Sequence, residues 1–93
     1  MEIGDVRIRE VRQTDGRLRA VASVTIDNCF VVHDIRIFER DGNLFVAMPS
    51  RRTTEGGFKD IAHPLNSETR EYMQSVILQA YRDFLAAKHE ESD

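Results

Sequence analysis

The densest group of side chains able to do chemistry lies between Ser50 and Lys59, in the run SRRTTEGGFK. Arg51 and Arg52 carry planar guanidinium forks, which fit phosphate oxygens two at a time. Ser50, Thr53 and Thr54 add hydroxyl donors, Gly56 and Gly57 supply backbone N–H groups on a turn, and Lys59 returns a further positive charge. Arg70, in the first turn of the helix that follows, extends the set beside that helix's positive end. Together they suit phosphate contact. The plainer alternative is a solvated loop whose charges Glu55 and Asp60 neutralise. Arg7, Arg9 and Arg19 make a second basic stripe, placed by the sequence on one face of the first hairpin.

Catalysis finds less support. Asp34, Asp60 and His63 are the acid–base candidates, and Ser50 or Cys29 the nucleophile candidates. No nucleophile elbow, zinc-protease helix, P-loop or dinucleotide fingerprint links them. His33, His63 and His89 lack metal-ligand spacing, and His63 before Pro64 is expected to satisfy a loop carbonyl. The expectation is a protein that is not an enzyme, with no metal, no cofactor and no small-molecule substrate.

The elements that must position the basic residues are legible from period. Val6 and Ile8 alternate with Arg7 and Arg9, and Leu18, Ala20, Ala22, Val24 and Ile26 hold strict period two. Thr14-Asp15-Gly16 turns one strand into the other. Asp27-Asn28 turns the chain again into Phe30–Phe38, whose apolar phase slips at His33-Asp34, the mark of a bulge. Asp41-Gly42-Asn43 leads to a fourth strand, Leu44–Met48, which Pro49 ends. About 17 residues separate Pro49 from Leu65, a long connection with a fifth short strand near Phe58–Ile61.

Tyr72, Met73, Val76, Ile77, Ala80, Tyr81, Phe84 and Leu85 then recur at helical spacing. The helix is expected from Ser67 to Lys88, capped by Asn66 or Ser67, with Glu68 at its positive end. The predicted fold class is α+β: an antiparallel β-meander of four to five strands followed by one long C-terminal α-helix. Residues 1–88 form a single domain and residues 89–93 a frayed tail.

Phe30–Phe38 and Leu44–Met48 read as apolar on both faces, more than one helix can cover. The expectation is a homodimer through the sheet, with Val32, Ile35, Ile37 and Val46 at its interface. The alternative is a monomer whose long loop folds back over the open face.

Charge is the constraint on partners. The net value is −3, so no global basic field draws the chain to nucleic acid. Residues 1–54 sum to +1 and residues 55–93 to −4, which leaves room for a local basic patch. One cysteine excludes an internal disulfide, no apolar run is long enough to span a membrane, and the start is unlike a signal peptide. A cytoplasmic location without membrane contact is expected.

The segments Asp5-Val6-Arg7, Thr14-Asp15-Gly16-Arg17, Phe30-Val31-Val32-His33-Asp34-Ile35-Arg36 and Leu44-Phe45-Val46-Ala47-Met48-Pro49-Ser50 carry a resemblance. So do Arg52-Thr53, Phe58, Asp60-Ile61-Ala62-His63-Pro64 and Asn66-Ser67. Through them the chain closely resembles the SpoVG family, the stage V sporulation protein G or septation-regulator proteins of bacteria. The resemblance implies a small dimeric regulator that binds DNA and, in some members, RNA. It also implies that the basic loop after Met-Pro-Ser touches nucleic acid, which maps here to Arg51 and Arg52, with Arg51 standing where many members have Lys. Two function classes follow. One is a dimeric nucleic-acid-binding regulator of genes linked to sporulation or septation. The other is a protein-interaction module acting through its sheet face on a regulatory partner.

Overall fold

Small residues in the middle of a strand leave room for a helix, and the core is built on that fact. A computed structural model describes residues 1–11 and 16–91. Strands β1 (Ile3–Glu10), β2 (Leu18–Ile26), β3 (Phe30–Arg40) and β4 (Asn43–Ala47) form an antiparallel sheet in the order β1-β2-β3-β4. Helix α1 (Ser67–Glu91) lies across one face. The fold is α+β, a meander followed by one helix. Ala20, Ala22 and Val24 of β2 are buried with Ile35 and Ile37 of β3 and with Met73, Ile77 and Tyr81 at a four-residue spacing on α1. Ile77 is fully enclosed in this core, in which the two β2 alanines take up little room.

The turns follow their chemistry. Asp27 and Asn28 both sit at positive φ (52° and 55°), and Cys29 N–H donates to the Ile26 carbonyl. Asp41 and Gly42 (φ 53° and 83°) make a two-residue turn between the paired residues Arg40 and Asn43. Thr14 and Asp15, part of the first expected turn, lie outside the described residues.

The expected bulge is present. Ala22 pairs with Ile35 and Val24 with Val32, so β3 gains one residue at His33-Asp34, where Asp34 takes φ 63°. That extra residue resets the phase. Phe30, Val32, Ile35 and Ile37 consequently all face the helix side, opposite Ile26, Val24, Ala22 and Ala20. The two-sided apolarity read from the sequence is thus partly a phase slip, and Ile35 and Ile37 are sealed inside a single chain.

A second shift, between Leu18 and Ala20, turns Arg19 out of the row that holds Arg7 and Arg9. Its guanidinium instead meets Glu39 at 3.2 Å. The expected three-arginine stripe therefore holds Arg7 and Arg9 without Arg19.

At the helix start, Asn66 Oδ1 accepts the Thr69 N–H at 2.8 Å, which makes Asn66 the cap. The helix continues to Glu91, beyond the expected end at Lys88, and Lys88 Nζ ties it to Glu10 of β1. Of the expected frayed tail, Ser92 and Asp93 lie outside the described residues.

Among the described residues, Tyr81 is the group whose acidity the fold clearly changes. Burial raises its phenol above the ordinary 10.0; Glu39 raises it further, Arg19 opposes, and Glu10 adds to the rise. Folding therefore favours the neutral phenol. That contribution is complete below about pH 10 and is lost as pH climbs through the raised value. Tyr81→Phe should flatten the alkaline decline in the thermal midpoint. An equally steep decline in the variant would assign it to other groups.

Candidate nucleic-acid interface

The long polar connection folds as a second, two-stranded sheet. β5 (Ser50–Arg52) pairs antiparallel with β6 (Phe58–Asp60), matching Ser50 to Asp60, Arg51 to Lys59 and Arg52 to Phe58. Thr53 and Gly57 close it. Thr53 N–H donates to the Gly57 carbonyl at 2.9 Å, Gly57 N–H donates to Thr53 Oγ1 at 3.1 Å, and Gly56 N–H returns to the Thr53 carbonyl at 3.1 Å. Gly56 holds φ 91°, a conformation that a side chain would strain. Thr53 is thus a turn former before it is a ligand donor. The expected fifth strand is real, but it joins Ser50–Arg52 and not the meander.

Period two separates the adjacent arginines. Arg51 and Lys59 share one face of the hairpin, while Arg52, Phe58, Ser50 and Asp60 share the other. One phosphate cannot take both arginine forks from the same face, so their expected joint grip becomes two distinct contacts. On the first face two cations stand directly opposite one another, a pairing that destabilises a ladder. Among the described residues neither has an ion pair, and Glu55 and Asp60 do not neutralise them. On the second face the Arg52 guanidinium sits 5.9 Å from the centre of the Phe58 ring. Phe58 is missing from the site as the sequence defines it, although Gly56-Gly57 marks the turn of the hairpin that holds it.

Arg70 stands apart. It is half-buried in the first turn of α1, with no hydrogen bond or ion pair from its side chain to the hairpin among the described residues. Ser50 is half-buried beside the main sheet, and Arg51, Arg52 and Lys59 are exposed.

The catalytic candidates do not assemble. His63 Nδ1 lies 2.9 Å from the Pro64 carbonyl, the contact expected of it, which as a donor N–H occupies that ring nitrogen. Asp34 lies on the β3 bulge and Asp60 on β6, in different sheets, and Cys29 is exposed in the β2–β3 turn. Among the described residues no three His, Cys, Asp or Glu side chains are grouped to hold a metal ion. Nor is any helix among them long and apolar enough to cross a membrane.

The dimer candidates divide in the same way. Ile35 and Ile37 are fully buried beneath α1, so a partner cannot reach them. Val32 and Val46 are half-buried at the margin of that core. The larger exposed apolar side chains lie elsewhere, at Phe30, Val31, Phe45, Phe58, Ile61 and Leu65.

A meander crossed by one helix, with a basic hairpin following its fourth strand, defines a small α+β protein. The chain belongs to the SpoVG family, whose family model matches residues 1–83. It is 54% identical over 87 residues to the "Putative septation protein SpoVG" of Caldicellulosiruptor bescii, covering 94% of this chain and 98% of that one. The protein of the same name from Thermoanaerobacter sp. (strain X514) is 59% identical over 81 residues, 87% of each chain. That from Bacillus velezensis is 54% identical over 95 residues, covering 99% and 97%. The family is named for septation and not for a reaction.

Proposed function

We propose that this chain is a non-catalytic, dimeric regulator that binds nucleic acid through the β5–β6 hairpin and modulates genes linked to sporulation or septation. One observation carries the reading: Arg51 and Lys59 face each other across the hairpin with no carboxylate partner among the described residues. Like charges held together on an exposed ladder cost stability unless an anion joins them, and a phosphate is the anion that two such donors fit. Arg52 over Phe58 supplies a flat cationic surface on the opposite face, which Ser50 shares, while the Thr53 hydroxyl is engaged by the Gly57 N–H in the turn. Arg70 is a weaker candidate, because it is half-buried on another element.

Titrating duplex DNA and single-stranded RNA at several salt concentrations tests the proposal. Removing one phosphate-binding cation should flatten the log–log slope by ~0.7–0.9. Arg51→Ala with Lys59→Ala should therefore reduce the slope by roughly 1.4–1.8 per engaged protomer and weaken all sequences alike. A double variant with an unchanged slope would place the phosphates elsewhere. The protein-interaction reading retains one supporting observation, the exposed Val31 and Phe45 on the sheet. Wild-type protein that shows no salt-dependent binding to either nucleic acid would favour it.

A further inference from the structure

The meander's second face, away from α1, has a composition the hairpin reading does not use. Registers place Arg9, Val21, Arg36 and Ala47 in one row across all four strands. Next to it, Phe38 and Phe45 stand directly opposite each other on β3 and β4. On the other side Arg7 is paired with Ser23, and the His33-Asp34 bulge completes a groove of about 450 Å³. Phe45 is 50% exposed. Arg9 and Arg36 have no ion pair among the described residues, whereas Arg7 meets Asp5 at 3.0 Å.

The sheet also sorts charge. The helix side carries Glu10, Glu39, Glu68, Glu71 and Asp83, while on the open face Asp5 is paired to Arg7, Asp34 sits at the bulge, and Arg9 and Arg36 are left without an ion pair among the described residues. A chain of net charge −3 thus presents one face suited to a polyanion. A protein partner or second copy would be met by unpaired guanidiniums in the middle of the apolar patch, and burying those is costly. A single-stranded nucleic acid matches both features, since its bases stack on aromatic rings and its backbone meets the arginines. Along its length a duplex keeps its bases paired and stacked on one another, and so offers none to the Phe38/Phe45 pair.

We infer that the open face of the β1–β4 sheet is a platform for single-stranded nucleic acid, with bases on Phe38 and Phe45 and phosphates at Arg9, Arg36 and Arg7. The inference rests on the nucleic-acid reading above and assigns it a second site with a strand preference.

The chain has no tryptophan, so Phe45→Trp installs a lone reporter on the platform. Its emission should be quenched by a 12-mer of oligo(dT) or oligo(U) and left unchanged by a 12-base-pair duplex. Phe45→Ala should weaken the 12-mer by roughly 5- to 100-fold and the duplex by less than twofold. Arg36→Gln should lower the single-strand salt slope by ~0.7. Phe45→Leu, which keeps an apolar side chain and loses the ring, should weaken the 12-mer in the same direction with the thermal midpoint kept. Binding of the 12-mer without quenching, or unchanged by Phe45→Ala, would overturn the platform and leave the hairpin site standing. Wild-type protein that binds neither probe would overturn the nucleic-acid reading itself.

Discussion

Ile77→Ala is expected to remove about 2–5 kcal/mol of folding stability, a large part of the ~5–15 kcal/mol that a domain of this kind holds. Ile77 is fully buried in a core cluster that includes Ala20 and Ala22 of β2 and Ile35 and Ile37 of β3. Alanines have no side chain to move into a cavity, so the space left by the isoleucine cannot collapse. The cost should therefore lie toward the upper end of that range. Urea unfolding followed by circular dichroism reads it as a lowered midpoint with the slope unchanged. A loss below ~1 kcal/mol would mean that the helix shifts to close the gap, and that α1 is less firmly seated than its burial indicates. Tyr72 and Leu85, both partly exposed members of the expected helical stripe, should give far smaller losses on the same substitution.

The contrast between those residues shows what the sequence could and could not reveal. Spacing alone makes Tyr72, Met73, Ile77, Tyr81 and Leu85 equivalent. The sheet buries a narrower band, Met73-Ile77-Tyr81, because only a line of side chains four residues apart fits above the β2 alanines. The bulge at His33-Asp34 is legible because an apolar phase slip leaves a direct trace. Its consequence, that Phe30, Val32, Ile35 and Ile37 all join one face, requires the register. Arg19 escapes the sequence for a related reason: the shift lies between Leu18 and Ala20, whose apolar period runs on unbroken in the sequence, and only the register and the contact with Glu39 show it. In the basic segment, residue types are sufficient to find the cluster. Its division into Arg51/Lys59 and Arg52/Phe58 depends on pairing between strands of three residues, too short to leave a period.

For the proposed dimer the same registers favour a seam at β4, and Val46→Lys is expected to convert that dimer into a folded monomer. β4, Asn43-Leu44-Phe45-Val46-Ala47, pairs only with β3 among the described residues and carries no charge, no proline and no bulge. An edge of that kind invites another strand. β1, the opposite edge, is interrupted at Gly4 by a register shift and lined with Asp5, Arg7 and Arg9. Arg40 and Asn43 flank a two-residue turn, so they form a hydrogen-bonded pair, and the pairs alternate from there. Leu44 and Val46 consequently direct their N–H groups outward, ready to pair with β4 of a second chain about a two-fold axis. That axis would stand perpendicular to the sheet and bring both open faces to one side. A lysine at position 46 can lay its stem along the apolar margin and keep its ammonium in water, which spares the fold. Its charge would be brought against its own symmetry mate at the seam. Light scattering at about 10 μM should show the mass halved, with the circular dichroism spectrum kept. The salt slope for duplex DNA should halve as well, because each protomer brings one Arg51/Lys59 pair. A variant that keeps the dimer mass would move the interface to the exposed Phe30, Phe58 and Ile61. A monomer that keeps the full slope would mean that one hairpin already makes every phosphate contact.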